Sequence, residues 1–171
     1  MVIKNILVPL DFSDPSMRAL DYATELAKPF GATLTVLHVL EPIAYASPAD
    51  LYAGVAAQLG DLITEQRRSA RERMAELQAK MAKRGFELRT VIREGIAHQE
   101  IVETAARLKS DLILLTTHGR TGLSHLLMGS VAERVVRAAP CAVLSLRGPV
   151  LRKVQRKKRI AARKRRAAAA K

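Results

Sequence analysis

Residues 111–130, DLILLTTHGRTGLSHLLMGS, contain the pattern that decides the fold: an apolar run, three glycines among hydroxyl residues, and the start of a helical segment. A short apolar run of this kind is typical of a strand covered on both faces of a sheet. Glycines directly after such a strand let the backbone turn tightly and approach a ligand, and the amides that open the next helix can face an anion. A strand-to-helix turn with a serine cap and no ligand is the alternative.

Four other segments resemble this strand. Residues 2–10, 33–40 and 141–147 are mostly apolar, whereas 87–93 is more polar and suits the edge of a sheet. With 111–117, they make five predicted strands.

Helical patterns lie between the strands. The clearest repeats apolar residues at spacings of four, three and four, on Ala70, Met74, Leu77 and Met81. Another begins at Ser13, a capping residue, and ends near Lys28, while the last two span about 97–109 and 130–138. The 97–109 helix is expected to bury Ile101, Ala105 and Leu108. Residues 41–60 hold two prolines and two glycines, which favours a loop or a short irregular helix.

Strands that alternate with helices predict an α/β fold, with three α/β/α layers around a Rossmann-like, doubly wound, five-stranded parallel sheet. Ligands of such sheets bind beyond the carboxyl ends of the strands, where the strand order reverses. If strands 1 and 4 are neighbours, residues 9–13 and 116–130 face one crevice.

Composition bounds the class of protein. The 171 residues suffice for one domain, and no segment reaches the roughly 18 consecutive apolar residues that a membrane span needs. The first nine residues lack the features of a secretory signal, so we expect a cytoplasmic protein. Cys141 has no partner for an internal disulfide, and a buried structural thiol is favoured over a nucleophile.

The net charge of +13 is concentrated at one end of the chain. Residues 151–171 contain 11 of the 29 Lys and Arg and no Asp or Glu, so the remainder is almost neutral. This predicts a domain at 1–148 and a basic, disordered tail at 149–171. A polyanion such as DNA or RNA would bind the tail from Arg152 to Lys171, through phosphate only, because the tail has no aromatic side chain. A purely solubilising tail is the alternative.

The sequence resembles the universal stress protein family. The ATP-binding branch of that family has a Gly-x2-Gly-x9-Gly-Ser/Thr motif, and this chain reads Thr116-x2-Gly119-x9-Gly129-Ser130. The resemblance extends to residues 5–13 (NILVPLDFS), 129–136 (GSVAERVV) and 139–144 (APCAVL), and so covers about residues 1–147. It implies an adenine nucleotide alpha hydrolase-like fold and a homodimer formed through the last strand, from Ala142 to Leu146.

The resemblance also implies a site for ATP, alone or with Mg²⁺. Asp11 would face the ribose, Val39 would line the adenine pocket, and Gly129, Ser130 and the Val131 amide would hold phosphates together with Gly119. The full set of candidate binding residues is Pro9, Leu10, Asp11, Val39, Thr116, Gly119, Arg120, Gly122, Gly129, Ser130 and Val131. From the residues alone, Asp11 and Ser130 have alternative roles as helix caps, and Arg120 as a solvated side chain.

Two functions follow from these patterns. The first is an ATP-binding stress sensor or effector with a polyanion-binding tail. The second is a nucleic-acid-associated dimeric scaffold in which Thr116, at a motif glycine position, narrows the pocket and nucleotide binding is lost. No nucleophile, base and orienting acid stand together, so we expect no dedicated enzyme and at most slow ATP hydrolysis.

The four histidines, at 38, 98, 118 and 125, lack the close spacing of metal ligands.

Overall fold

The computed structural model describes residues 2–42, 53–117 and 129–147, and it contains one five-stranded sheet. The strands are β1 (Asn5–Pro9), β2 (Thr33–Leu40), β3 (Leu88–Glu94), β4 (Leu112–Thr116) and β5 (Ala142–Leu146). All four pairings are parallel, and the order is β3-β2-β1-β4-β5. The predicted parallel sheet is therefore confirmed, with β1 between β2 and β4 and shorter than the 2–10 expected. The predicted boundary at residue 148 and the whole tail lie outside the described residues.

The four helices are α1 (Asp14–Ala27), α2 (Ala53–Ala82), α3 (Ala97–Arg107) and α4 (Ser130–Ala138). They cover both faces of the sheet. Because side chains along a strand alternate in direction, each inner strand contributes side chains to the core on either face. From β1, Ile6 and Val8 pack in a core with α1 and α2, whereas Leu7 packs in a second core with α3 and α4. This is the predicted α/β/α arrangement of three layers.

The start of α2 differs from the sequence prediction. Residues 53–60, expected to form a loop or a short irregular helix, are the first turns of this 30-residue helix. Gly60 lies in this helix, where glycine costs about 1 kcal/mol relative to alanine. Nothing lies within 4 Å of the position a Cβ would take, so no close contact requires glycine there. Residues 43–52 lie outside the described ranges. Within those ranges, no helix has both the length and the apolar character needed to cross a bilayer.

Leu108 is not buried with Ile101 and Ala105, and that prediction was wrong. α3 ends at Arg107, and Lys109 then takes a left-handed conformation with φ of 48°. The Ser110 N–H donates to the Ala105 carbonyl oxygen at 2.9 Å, which turns the chain away from the helix axis. Leu108 therefore lies in the terminal turn and is 37% exposed.

Asp111 connects the start of β4 to the start of β1. Its Oδ2 accepts hydrogen bonds from the backbone N–H of Lys4 at 2.8 Å and of Asn5 at 2.9 Å. Two N–H donors favour the ionised carboxylate, so these bonds hold the pKa of Asp111 below its ordinary value. The bonds join strands more than 100 residues apart in sequence.

Replacing Asp111 by asparagine is expected to lower stability in a pH-dependent way. Because the pKa of Asp111 is lower in the folded than in the unfolded chain, its contribution is complete above the unfolded pKa of about 3.9 and is lost as the pH falls through the folded pKa. The difference in unfolding free energy between wild type and Asp111→Asn should therefore be constant from pH 7 to 5 and shrink below pH 4. Urea unfolding at these pH values measures it, and a difference independent of pH would contradict the prediction.

Candidate functional site

A cavity of about 640 Å³ opens at the carboxyl ends of β1, β2 and β4. Its size lies within the 300–1,000 Å³ typical of small-molecule sites. The strand ends form its floor, α2 forms one wall, and the first turns of α3 and α4 form the other. The strand order reverses at this point, because β2 and β3 lie on one side of β1 whereas β4 and β5 lie on the other.

The predicted binding residues that the structure describes all line this cavity. They are Pro9, Leu10, Asp11, Val39, Thr116, Gly129, Ser130 and Val131. The other three, Gly119, Arg120 and Gly122, lie outside the described residues, as do His118 and His125. Two segments about 100 residues apart in sequence are thus brought to one crevice, as expected for neighbouring strands.

Gly129 sits in tight contact with the end of β4. Its N–H donates to the Thr117 carbonyl oxygen at 2.7 Å. A Cβ on Gly129 would lie 2.9 Å from that same oxygen, a separation that real Cβ atoms almost never show. Thr117 is itself fixed, since its N–H donates to the Leu146 carbonyl oxygen at 3.2 Å. The backbone conformation of Gly129 does not require glycine, since its φ of −61° suits any residue. The close approach to Thr117 is what favours glycine here.

The first residues of α4 line the cavity. Gly129 is the N-cap, with no side-chain hydrogen bond to the helix, so the alternative that Ser130 caps its own helix was wrong. Ser130 is instead the first helical residue and is exposed. The first amides of a helix have no acceptor within it, and the helix dipole favours a negative charge beside them. The amides of Ser130 and Val131 are therefore suited to an anionic group.

Asp11 supports the loop between β1 and α1. Its Oδ1 accepts hydrogen bonds from the Ser13 N–H at 3.0 Å and the Ser13 hydroxyl at 2.6 Å. Ser13, in turn, is the N-cap of α1, and its Oγ accepts from the Ser16 N–H. The alternative that Asp11 caps α1 was therefore wrong: Asp11 holds the residue that does so, while lining the cavity.

Thr116 occupies the position of the first motif glycine. It is the last residue of β4, pairs with Leu146 of β5, and lines the cavity half-buried. It is not among the described residues with positive φ, so its backbone does not require glycine. Its side chain, with a β-branch and a hydroxyl group, is what distinguishes it from glycine at this position.

Sequence reasoning missed the wall formed by α2. Gln66, Ser69 and Arg73 line the cavity beside the buried Ala70. They share a helix face because their spacings are three and four residues. The sequence signal for them is that polar residues stand next to the apolar Ala70 at helical spacing. His38 of β2 was considered only as a metal ligand, although it is buried beneath the cavity.

Two further sequence interpretations concern reactive side chains. Cys141 is half-buried rather than buried, and burial raises its thiol pKa, which disfavours the reactive thiolate. In the described part of the chain, no three His, Cys, Asp or Glu side chains are close enough to hold a metal ion.

The chain matches one protein family over most of its length. The sequence pattern of the universal stress protein family matches residues 3–147. Universal stress protein MJ0531 of Methanocaldococcus jannaschii is 36% identical over 147 residues, which are 85% of this chain and 83% of the relative. The structure of universal stress protein UspA from Lactobacillus plantarum has a TM-score of 0.74 and 32% identity, covering 86% and 99% of the two chains. A universal stress protein in complex with cAMP has a TM-score of 0.54 and 25% identity, covering 86% and 99%.

Proposed function

The chain belongs to the universal stress protein family, and we propose that its crevice binds ATP and that the protein acts as a nucleotide-responsive stress sensor or effector. The observation that carries the proposal is the contact between Gly129 and Thr117. Without a Cβ, the backbone of α4 can begin directly beside the strand end, which places the first residues of the helix at the cavity. A solved relative in complex with cAMP supports an adenine nucleotide as the ligand class.

The residues around the cavity fit the parts of such a nucleotide. The amides of Ser130 and Val131 would hold phosphate oxygens, and Asp11 would accept hydrogen bonds from ribose hydroxyls. Val39 and Ile101 offer apolar surface for the base. Gly119, Arg120 and Gly122 remain proposed ligand residues from the motif alone. ATP would supply the phosphate charge, alone or with Mg²⁺.

We propose binding without a dedicated catalytic step. The titratable residues that line the described part of the cavity are Asp11, His38, Glu41 and Arg73. Asp11 accepts hydrogen bonds from Ser13, and a ring nitrogen of His38 bonds to the Leu10 carbonyl oxygen. Both groups are thus engaged in holding the loop between β1 and α1. Slow hydrolysis of ATP and a cytoplasmic location stay predictions.

Calorimetric titration of ATP into the full chain tests nucleotide binding. The basic tail attracts triphosphate nonspecifically, and salt screens that attraction far more than binding within a partly enclosed crevice. We therefore expect one saturable site per chain, retained when salt is raised from about 0.1 to 0.5 M. A stoichiometry above one that disappears with added salt would refute a specific site.

Thr116→Gly is expected to change ATP affinity by less than about threefold, or roughly 0.6 kcal/mol. The reason is that the backbone of Thr116 is a regular strand end, which needs no glycine. The same titration measures the effect. A large gain of affinity in this variant would instead favour the scaffold in which threonine blocks the pocket.

The basic tail is proposed to bind a polyanion through its 11 Lys and Arg. Binding of duplex DNA by the full chain should weaken with salt, with a slope of log affinity against log salt of about −0.9 per phosphate neutralised. Deletion of residues 150–171 should abolish this binding. Equal DNA affinity with and without the tail would exclude this role.

We also propose a homodimer through β5. This strand pairs with β4 along one side and is the last strand of the sheet. Its other side offers backbone groups to a second copy. Sedimentation equilibrium distinguishes a dimer from a monomer, and replacing Ser145 by proline, which removes a backbone donor at this edge, should favour the monomer.

A further inference from the structure

The loop that carries Asp11 is fastened to β2 at its first residue. The Leu10 N–H donates to the Leu37 carbonyl oxygen at 2.8 Å. The Leu10 carbonyl oxygen lies 2.7 Å from Nδ1 of His38, which is 7% exposed. Both polar groups of the Leu10 backbone are therefore bonded to adjacent residues of β2.

The partner of Nδ1 determines which ring nitrogen carries a proton. A carbonyl oxygen only accepts hydrogen bonds, so Nδ1 of His38 must donate. Nδ1 is protonated in the imidazolium and in one of the two neutral tautomers. This bond therefore selects the Nδ1–H tautomer of the neutral ring.

The same histidine also contacts Phe12, a residue of the loop with a strained backbone conformation. Phe12 has φ of 60°, a left-handed conformation that is costly for a side chain of this size. Its ring meets the His38 ring edge to face, with centroids 4.8 Å apart at an interplanar angle of 66°. The Arg73 guanidinium lies 5.6 Å from the centre of the Phe12 ring. Strain of this kind persists only where neighbouring groups hold it.

We propose that His38 is a positioning residue for nucleotide binding. Its Nδ1–H holds the Leu10 carbonyl and its ring supports Phe12, so Asp11, between these two residues, is kept at the cavity with Ser13 bonded to it. His38 lines the cavity but is only 7% exposed, and the role proposed for it is exercised through the loop. This role rests on the proposed function of the crevice.

Three substitutions of His38 separate the hydrogen bond from other roles. His38→Asn keeps a nitrogen donor bonded to Cγ, where Nδ1 stands. His38→Gln places its donor one bond further out, at the position of Nε2, and His38→Leu keeps bulk without a donor. Hydrogen exchange of residues 10–17 in the full chain without nucleotide reports on the loop, because the amides of Leu10, Ser13, Ser16 and Met17 donate bonds within it or to β2.

We expect amide exchange in the loop to be about tenfold faster in His38→Leu and His38→Gln, which lose the donor at the Nδ1 position. It should be at most about threefold faster in His38→Asn, which keeps a donor there but loses the ring contact with Phe12. ATP affinity should follow the same order. The ¹⁵N shifts of His38 in the wild type should show a protonated Nδ1.

Other orders of the variants overturn the proposal. If His38→Gln matches wild type while His38→Asn does not, the ring acts through Nε2. If His38→Leu protects the loop as well as wild type does, the hydrogen bond has no positioning role. If the exchange data follow the expected order but even the wild type binds no ATP, the nucleotide function fails and the loop role of His38 is supported. Comparison of the asparagine and glutamine variants gives a result even if His38→Leu does not fold.

Discussion

Gly129→Val is expected to lower the affinity for ATP at least about 100-fold, or roughly 3 kcal/mol. A Cβ at this position would lie 2.9 Å from the Thr117 carbonyl oxygen, which is a backbone atom and cannot rotate away. Either β4 or the start of α4 must then move. The hydrogen bond of 2.7 Å between the Gly129 N–H and Thr117 is strained at the same time. The amides of Ser130 and Val131 would lose their place at the cavity.

Gly60→Ala is a control that adds a Cβ at a glycine with no close contact. Gly60 lies on the exposed side of α2 with nothing within 4 Å of an added Cβ. Alanine there should leave ATP affinity unchanged and raise the unfolding free energy by up to about 1 kcal/mol, since alanine favours helix over glycine. Calorimetry measures both variants, and circular dichroism verifies that Gly129→Val is folded. A folded Gly129→Val variant with wild-type affinity would show that the α4 terminus does not hold the nucleotide.

Leu114→Ala should lower the unfolding free energy by about 2–5 kcal/mol. Leu114 is the middle residue of β4, is 0% exposed, and packs in the core with α1 and α2. Its truncation leaves a cavity between the sheet and two helices that rigid strands cannot close. Urea unfolding monitored by circular dichroism measures the loss.

Leu62→Ala makes the same chemical change at a surface position. Leu62 of α2 is 54% exposed, so its truncation should change the unfolding free energy by less than about 0.5 kcal/mol. Equal losses in the two variants would contradict the assignment of Leu114 to the core. The pair also separates burial from any general sensitivity of the protein to loss of leucine.

The parts of this fold that were predicted from sequence are those set by local patterns. The repeat of Ala70, Met74, Leu77 and Met81 depends on helix geometry alone, and all four residues are buried. The strands were predicted because short apolar runs that alternate with helical patterns are typical of buried parallel strands. The candidate crevice followed from topology, since loops after neighbouring parallel strands must lie at one edge.

What the sequence did not reveal depends on contacts between distant segments. The role of His38 arises from a carbonyl group 28 residues away, and no spacing rule connects the two. Arg73 reaches the crevice because α2 packs beside β2, whereas its sequence context is that of a solvated helix face. The end of α3 was misjudged because Lys109 adopts a left-handed conformation that usually belongs to glycine.

The position of β1 between β2 and β4 has a consequence for synthesis on the ribosome. β2 follows β1 after about 24 residues, but β4 begins only about 100 residues after β1 ends. At about 5–20 residues per second, the β4 side of β1 therefore remains an unpaired edge for roughly 5–20 s after β1 is made. The nascent chain carries an aggregation-prone edge during that interval. The pairing of β4 with β1 closes this edge and brings the two parts of the crevice together, and it can occur only after β4 has been made.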